Sequence, residues 1–142
     1  MSKLELGAFS ISLSVQDLDK SSEFYQKLGF EVTHSCEQYQ ILVNGTTVIG
    51  LFHGMFEGNI LTFNPGLSAK SNSEGALMES WRVEEFTDIR VIQKHLKNRG
   101  MKLISGVDKE NRQGPASLML RDPDGNIILV DQFFPHPDAS PE

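Results

Sequence analysis

The sequence is poor in cysteine, in positive charge and in long apolar runs, and each shortage excludes a class of protein. Cys36 is the one cysteine among 142 residues, which excludes an intrachain disulfide and a cysteine-ligated metal cluster and fits a reducing compartment. The formal net charge of -6 argues against nucleic acid and anionic membranes as partners. No apolar run approaches the roughly 20 residues of a membrane-spanning helix, and the N-terminus lacks the apolar core of a signal peptide. We therefore expect a cytoplasmic protein.

What the sequence does contain is a repeat. Two stretches share one order, in which an alternating strand ends at a valine, acidic residues begin a helix, and a glycine ends that helix. The strands end at Val15 and Val83, and the helices end at Gly29 and Gly100. Because 142 residues with 39% hydrophobic content can bury one substantial core, the two halves are predicted to form a single domain over residues 1–142.

Each half is predicted to have the order β-α-β-β-β. Module one covers about residues 7–53 and module two about residues 76–133, with its first strand, the fifth of the chain, over residues 76–83. The connection, residues 54–75, carries several large apolar residues, which favours either a binding loop or a segment packed over a sheet edge. The tail, residues 134–142, is predicted to be irregular. The predicted fold is α+β: two tandem modules form an open, curved mixed sheet around a central cleft.

The motifs of this repeat resemble those of the vicinal oxygen chelate superfamily, which includes the glyoxalase I, bleomycin-resistance and extradiol-dioxygenase proteins. The resemblance rests on the segment FYQKLGF after the first strand, the turn DPDGN before the last strand, and the paired modules, and it covers about residues 7–132. The stretches GLFHGMFEGNILTFNPG and GPASLMLRDPDGNIILVDQ look like a subgroup described only as glyoxalase-like. A fold that supports many activities does not by itself specify one of them.

The resemblance also implies a position for a divalent metal ion. Enzymes of the family hold this ion with four side chains on the inner face of the sheet, typically histidine, glutamine or glutamate. The corresponding positions here are Ser10, Gly50, Met78 and Leu129. None of them supplies an imidazole or a carboxylate, the ligands that such ions require. We therefore expect neither the metal ion nor another cofactor.

Alternation along the strands predicts which side chains share the inner face, because successive residues of a strand point to opposite sides. Gly50 is expected to leave open space in the cleft, while Met78 and Leu129 either contact a ligand or simply fill the cleft. Arg82 could bind an anionic group, although an ion pair with Asp131 is favoured. The candidate ligand-binding residues are Ser10, Ser12, Gly50, Phe52, His53, Phe56, Met78, Ser80, Arg82, Leu129 and Asp131.

Three functions fit these residues. The favoured one is a metal-free protein that binds a small organic molecule in the cleft, as the resemblance to the bleomycin-resistance branch implies. The second is an enzyme of the glyoxalase-like type, a lyase, isomerase or dioxygenase, for which Glu57, His53 and Asp131 are the potential general bases. The third is a structural module with a filled cleft. We expect a homodimer, because open sheet edges and the apolar connection favour association.

Overall fold

The computed structural model describes residues 4–69 and 81–136, which form eight strands and two helices. The elements are β1 (Ala8–Ser14), α1 (Leu18–Lys27), β2 (Glu31–Ser35), β3 (Tyr39–Asn44), β4 (Thr47–Phe52), β5 (Asn59–Asn64), α2 (Ile89–Asn98), β6 (Leu103–Ser105), β7 (Ala116–Arg121) and β8 (Ile127–Gln132). The strands form one mixed sheet in the order β2-β3-β4-β1-β5-β8-β7-β6, open at β2 and β6. The predicted α+β fold with an open, curved sheet is confirmed. Neither helix is long and apolar enough to cross a membrane.

The fifth strand lies earlier in the chain than the sequence suggested. β5 occupies residues 59–64, inside the predicted connection. Of the predicted strand over residues 76–83, residues 76–80 lie outside the described residues and residues 81–83 are not part of a strand. Arg82 makes only an isolated bridge to Leu67. The boundary that the sequence analysis drew for the start of the second β-α-β-β-β unit is therefore wrong.

The pattern that identifies β5 is an alternation of burial. Ile60, Thr62 and Asn64 are buried, while Leu61 and Phe63 between them are half-buried against the helix side of the sheet. Two of the buried residues are polar, and the strand both begins and ends with asparagine, a residue that is depleted in strands. This is why a glycine-rich and asparagine-rich stretch appeared to be a loop.

β1 and β5 lie at the centre of the sheet and join its two halves. β1 pairs in parallel with β4, β5 pairs in parallel with β8, and β1 and β5 pair antiparallel with each other. Each half therefore repeats the same internal order on its own side of this ladder. The predicted helix ends are confirmed: Gly29 and Gly100 follow the two helices with φ of 104° and 78°, which glycine adopts without strain.

Both helices pack on the outer face of the sheet. One core lies under α1 and has Leu42, Ile49 and Leu51 as its buried members, with Ile11 and Leu13 beside them. A second core lies under α2, and its buried members are Ile89, Ile92, Leu118, Leu120 and Val130. These residues occupy alternate strand positions, so the residues between them point to the opposite, concave face. That face contains most of the predicted site.

The turn between β7 and β8 yields a first prediction. Asp122 accepts hydrogen bonds from the backbone N–H groups of Asp124 and Asn126 at 2.9 and 2.8 Å and from the Asn126 side chain at 2.7 Å. These hydrogen bonds lower the pKa of the Asp122 carboxyl, and the two from Asn126 contribute most. A lowered pKa means that the carboxylate stabilises the fold above its unfolded-state pKa of about 4, and that this stabilisation is lost as the pH falls through the lowered value. Asp122→Ala should therefore lower the free energy of unfolding at pH 7.

Chemical denaturation of Asp122→Ala between pH 2 and pH 7 measures this effect. The difference from the unmodified protein should shrink as the pH falls below about 4. Asp124→Ala is the matched control, because Asp124 lies in the same turn and its carboxylate accepts none of these three bonds. An equal loss in both variants at pH 7 would show that Asp122 has no special part in the turn.

Gln132 yields a second prediction because its side chain is fully buried and bonded at both ends. Its Oε1 accepts from the backbone N–H of Ile89 at 2.8 Å, at the start of α2, and its Nε2 donates to the carbonyl of Phe134 at 2.9 Å. Gln132→Leu leaves both backbone groups unpaired, which should lower the free energy of unfolding by about 2 kcal/mol or more. Gln113→Leu, in the exposed loop before β7, should change it by less than about 0.5 kcal/mol. Thermal or urea unfolding of both variants is the measurement, and equal stabilities would contradict the prediction.

Candidate functional site

The floor of the concave face is set by the register of the central strands. Ser10 on β1 lies beside Val48 on β4 and Thr62 on β5, and Thr62 in turn lies beside Leu129 on β8. Two residues further along β1, Ser12 lies beside Gly50 on β4 and Ile60 on β5. The structure therefore brings together Ser10, Ser12, Gly50 and Leu129, as the sequence analysis expected.

The residue of β5 that belongs to this set is Thr62. Sequence analysis assigned the position to Met78, which lies outside the described residues, as does Ser80. With the corrected strand, the residue opposite Ser10 in the second half is Thr62, which is buried. Its Oγ1 lies 3.1 Å from Oγ of Ser12, so these two hydroxyls form a hydrogen bond with each other.

These residues do not fit the divalent metal ion of the resembled enzymes. The four positions now hold Ser10, Gly50, Thr62 and Leu129, which together offer two neutral hydroxyls and no imidazole or carboxylate. Within residues 4–69 and 81–136, no three histidine, cysteine or acidic side chains are grouped so that they could hold a metal ion.

The space above Gly50 is occupied, which corrects the expectation that it would be open. A Cβ atom added to Gly50 would lie 2.6 Å from Cε1 and 3.3 Å from Cζ of the Phe52 ring, and 3.4 Å from Cδ1 of Ile41. Contacts under 3.0 Å do not occur between real Cβ atoms and their neighbours, so the ring lies where a side chain at position 50 would begin. Gly50 thus allows Phe52 to fold back over the floor of the cleft.

Phe52 belongs to a row of aromatic rings, which we call the aromatic ladder: His34, Tyr39, Phe52 and Phe56. The rings of Tyr39 and Phe52 are stacked with centroids 5.3 Å apart, those of His34 and Tyr39 are stacked at 5.4 Å, and Phe56 lies 5.2 Å from Phe52 at a tilt of 51°. Oγ of Ser14 donates to the carbonyl of Phe56 at 2.9 Å and so ties the loop after β4 to β1. The ladder forms a wall at the Ser14 end of the concave face.

Two members of the ladder, His34 and Tyr39, are not among the candidate ligand-binding residues of the sequence analysis. Nε2 of His34 lies 3.1 Å from the Tyr39 hydroxyl, and burial raises the pKa of that hydroxyl, with the neighbouring Cys36 thiol raising it further. The position of Tyr39 could have been predicted from the β3–β4 hairpin. Counting residues outward from its turn pairs Tyr39 with Phe52. Counting that pairing would have placed Tyr39 on the concave face.

His53 supports the rim of the cleft and does not enter it. It is exposed, its backbone N–H donates to the carbonyl of Gln38 at 2.8 Å, and its Nδ1 lies 3.1 Å from the carbonyl of Val15. These contacts connect the end of β4 to the ends of β1 and β3. The exposed side chain of Glu57 lies in the same loop region.

The opposite end of the concave face is covered. Leu67 and Trp81 pack on Ala8 and Val48, and Trp81 is only 1% exposed. Phe133 and Phe134 are among the half-buried residues that pack on this cluster. The indole N–H of Trp81 has no hydrogen-bond partner among the described residues although it is buried. Part of the cleft is therefore filled, although not in the way that the sequence analysis considered.

Arg82 and Asp131 do not form the ion pair that the sequence analysis favoured. Arg82 is exposed, and its guanidinium carbon lies 4.1 Å from the centroid of the Phe134 ring, a cation–π contact. Asp131 is half-buried on the concave face of β8, and its backbone carbonyl accepts from the Asn64 side chain at 3.0 Å. Burial raises the pKa of the Asp131 carboxyl. This carboxylate has no cationic partner among the described residues.

A groove of 1280 Å³ lies beyond the covered end, away from the predicted site residues. Its walls come from the segment before β1, the β3–β4 turn and residues 83–86, and it shares Ala8, Val48 and Leu67 with the cluster around Trp81. None of the candidate ligand-binding residues that the structure describes lines it. We place the candidate site on the concave face because the polar and aromatic side chains converge there.

Solved structures with the same fold are known. One is the structure named NAD-dependent benzaldehyde dehydrogenase from Legionella pneumophila, with 18% identity and a TM-score of 0.59 over 88% of this chain and 98% of that one. Another is a glyoxalase/bleomycin resistance protein/dioxygenase superfamily member from Vibrio splendidus 12B01, with 17% identity and a TM-score of 0.55 over 87% and 97%. At these identities the similarity shows the fold alone. No sequence among the curated proteins matches this chain.

The family is shown by the sequence itself. A profile described as the Glyoxalase/Bleomycin resistance protein/Dioxygenase superfamily matches residues 7–130, which is most of the chain and includes every strand but the end of β8. The matched range covers both halves of the sheet. This chain therefore belongs to the glyoxalase/bleomycin resistance protein/dioxygenase superfamily.

Proposed function

We propose that this protein binds a small organic molecule on the concave face of its sheet and does so without a metal ion. The observation that carries the proposal is the set of side chains at the four positions where metal-dependent relatives hold their ion: Ser10, Gly50, Thr62 and Leu129. Protein sites for divalent cations normally contain several imidazole, carboxylate or thiolate ligands. Two hydroxyls, one of them bonded to Ser12, are not such a set.

The ring of Phe52 supports the same conclusion from sterics. A histidine or glutamate at position 50 would start with a Cβ atom 2.6 Å from Cε1 of that ring. The volume that a metal ligand would need is thus filled by an apolar side chain, and the ring is held there by stacking on Tyr39. The site favours apolar contact at the point where the metal-dependent relatives have a charge.

The surface that remains suits an organic ligand. The aromatic ladder offers ring faces at one end, and Ile127, Leu129 and Met119 are half-buried side chains on the concave side of β8 and β7. The polar groups between them are few and mostly neutral. Apolar walls with a small number of fixed polar groups are typical of sites for small organic molecules, and aromatic rings stack on flat ones.

A general acid–base pair is not supported by the same geometry. Ser14 lies beside Phe52, next to His53, whereas Ala8 lies beside Asn64, whose side chain contacts Asp131. Ser14, near His53, and Ala8, near Asp131, are six residues apart along β1, which corresponds to roughly 20 Å at the rise of a strand. His53 and Asp131 are therefore too far apart to act together on one small substrate.

One observation favours the third function of the sequence analysis, a structural module with a filled cleft. Leu67 and Trp81 already bury the Ala8 end of the concave face.

Homodimer formation, which either function allows, is supported by an exposed apolar patch on α1 and β2, where Phe24 and Leu28 are each 61% exposed and Val32 is 38% exposed.

The proposal is tested by comparing metals with organic ligands on the purified protein. We expect elemental analysis to find far less than one Zn, Ni, Mn or Fe per chain, and thermal unfolding to be unchanged by these ions. A library of small organic compounds should contain some that raise the unfolding temperature, since a ligand at 100 times its Kd adds about 2.7 kcal/mol to the free energy of unfolding. Stoichiometric metal together with hemithioacetal turnover would refute the metal-free proposal, and no response to any compound would support the structural module.

The contact between Gly50 and Phe52 gives a further prediction. Gly50→Ala should lower the free energy of unfolding by about 1–3 kcal/mol, because the new Cβ forces the Phe52 ring out of its place. The same substitution in a Phe52→Ala background should cost clearly less, since the obstructing ring is gone. Urea unfolding of the two single variants and the double variant measures this coupling. Equal costs in both backgrounds would mean that Phe52 does not fill the space above Gly50.

A further inference from the structure

We propose that Asp131 binds a positively charged group of the ligand, so that the molecule held on the concave face is an organic amine with an apolar body. The inference rests on the proposed function and names the chemical class of its ligand. It starts from the part of the concave face that is open: Ser117 is exposed, and Met119 and Leu129 are half-buried beside it. We infer that a ligand reaches Asp131 over these exposed and half-buried side chains.

The side chains next to Asp131 are neutral. Ser117 lies directly opposite on β7. On the other side, the side-chain amide of Asn64 on β5 donates to the backbone carbonyl of Asp131 at 3.0 Å. Because this bond goes to the backbone, it leaves the carboxylate unpaired. Along β8 the next residue on the same face is Leu129. The carboxylate thus lies in a half-buried, mostly apolar setting, and no described residue places a charge of the opposite sign beside it.

Within residues 4–69 and 81–136, the cationic residues of the neighbouring elements are engaged elsewhere or distant. Arg82 lies over the ring of Phe134, and Arg90 is bound to Asp88 and to the loop before β7. Arg121 is on the same face of β7 but pairs with Ile127, four residues from Asp131 along β8, or roughly 13 Å. The ring of His136 packs on Phe86, and its Nε2 lies 2.8 Å from the Phe86 carbonyl.

An unpaired carboxylate in this setting costs stability, because burial removes water without supplying a partner. A bound ammonium group removes that cost and adds a charge-assisted hydrogen bond. Leu129 and Met119 then contact the apolar part of the same molecule, and methionine adapts its shape to different ligands. A neutral molecule of the same size would gain the apolar contact only and would leave the carboxylate desolvated.

The test compares matched amines and alcohols. Phenethylamine and 4-phenylbutylamine are titrated against 2-phenylethanol and 4-phenyl-1-butanol at pH 7.5, with binding measured by calorimetry and by thermal unfolding. In the unmodified protein each amine should bind roughly 10-fold tighter than its alcohol or better. Asp131→Asn should abolish this preference and leave binding of the alcohols within a few-fold of its original value. Asp124→Asn removes the same charge from an exposed turn at the end of β7 and should leave the preference intact.

A second readout does not depend on affinity. Carbon NMR of the Asp131 carboxyl should show its pKa falling when phenethylamine is bound, because the ammonium group favours the charged form. The Asp131→Asn variant should remain folded and be at least as stable as the unmodified protein at pH 7.5. The sign follows from the raised pKa: the charged carboxyl destabilises the fold once the pH exceeds that pKa, and the neutral amide removes this penalty.

The outcomes separate the inference from the proposed function. Amines and alcohols that bind equally well, or an amine preference that survives Asp131→Asn, would overturn the role of Asp131 while organic-ligand binding still stands. If none of these four compounds binds while other organic molecules do, the inferred ligand class is wrong. If no organic molecule binds at all, the proposed function and the inference fail together.

Discussion

The antiparallel ladder between β1 and β5 is the interaction on which the rest of the structure depends. It joins the two halves of the sheet, and its register decides which residues face the helices and which face the cleft. A slip of one residue would exchange Ser10 and Ser12 with Ile11 and Leu13 and would turn the floor of the cleft into core. The hydrogen bond between Ser12 and Thr62 crosses this ladder and is buried with it, which makes the register specific as well as stable.

From this register follows a cleft with three different regions. The aromatic ladder stands at one end, the cluster around Trp81 covers the other, and β7 and β8 leave an open side. Among the described residues, no three histidine, cysteine or acidic side chains are grouped so that they could hold a metal ion. The superfamily scaffold is kept, and the side chains at its centre offer apolar contact and hydrogen bonding.

Much of this could be predicted from the sequence, and the failures have physical reasons. The paired modules and the glycines that end both helices could be predicted from period and spacing, and the resemblance to the vicinal oxygen chelate superfamily singled out positions 10, 50 and 129. β5 was not, because a strand in the middle of a sheet, with polar residues that pair across it, lacks the apolar run that marks most buried strands. The Arg82–Asp131 pair was wrong because residues 81–83 are not part of a strand, so the assumed alternation does not hold for Arg82. The contact of Arg82 with the Phe134 ring depends on the course of the chain after β8, which no local pattern encodes.

Trp81 is the only tryptophan of the chain, and its place in the covered end has a spectroscopic consequence. The intrinsic fluorescence of the protein reports the state of that one cluster, since no second indole contributes a background. Its N–H is buried without a hydrogen-bond partner among the described residues, so the emission should be blue-shifted and should move to longer wavelength when water or another acceptor reaches the ring. Trp81 fluorescence therefore reports local unfolding at the Ala8 end of the sheet, independently of conformational changes at the aromatic ladder.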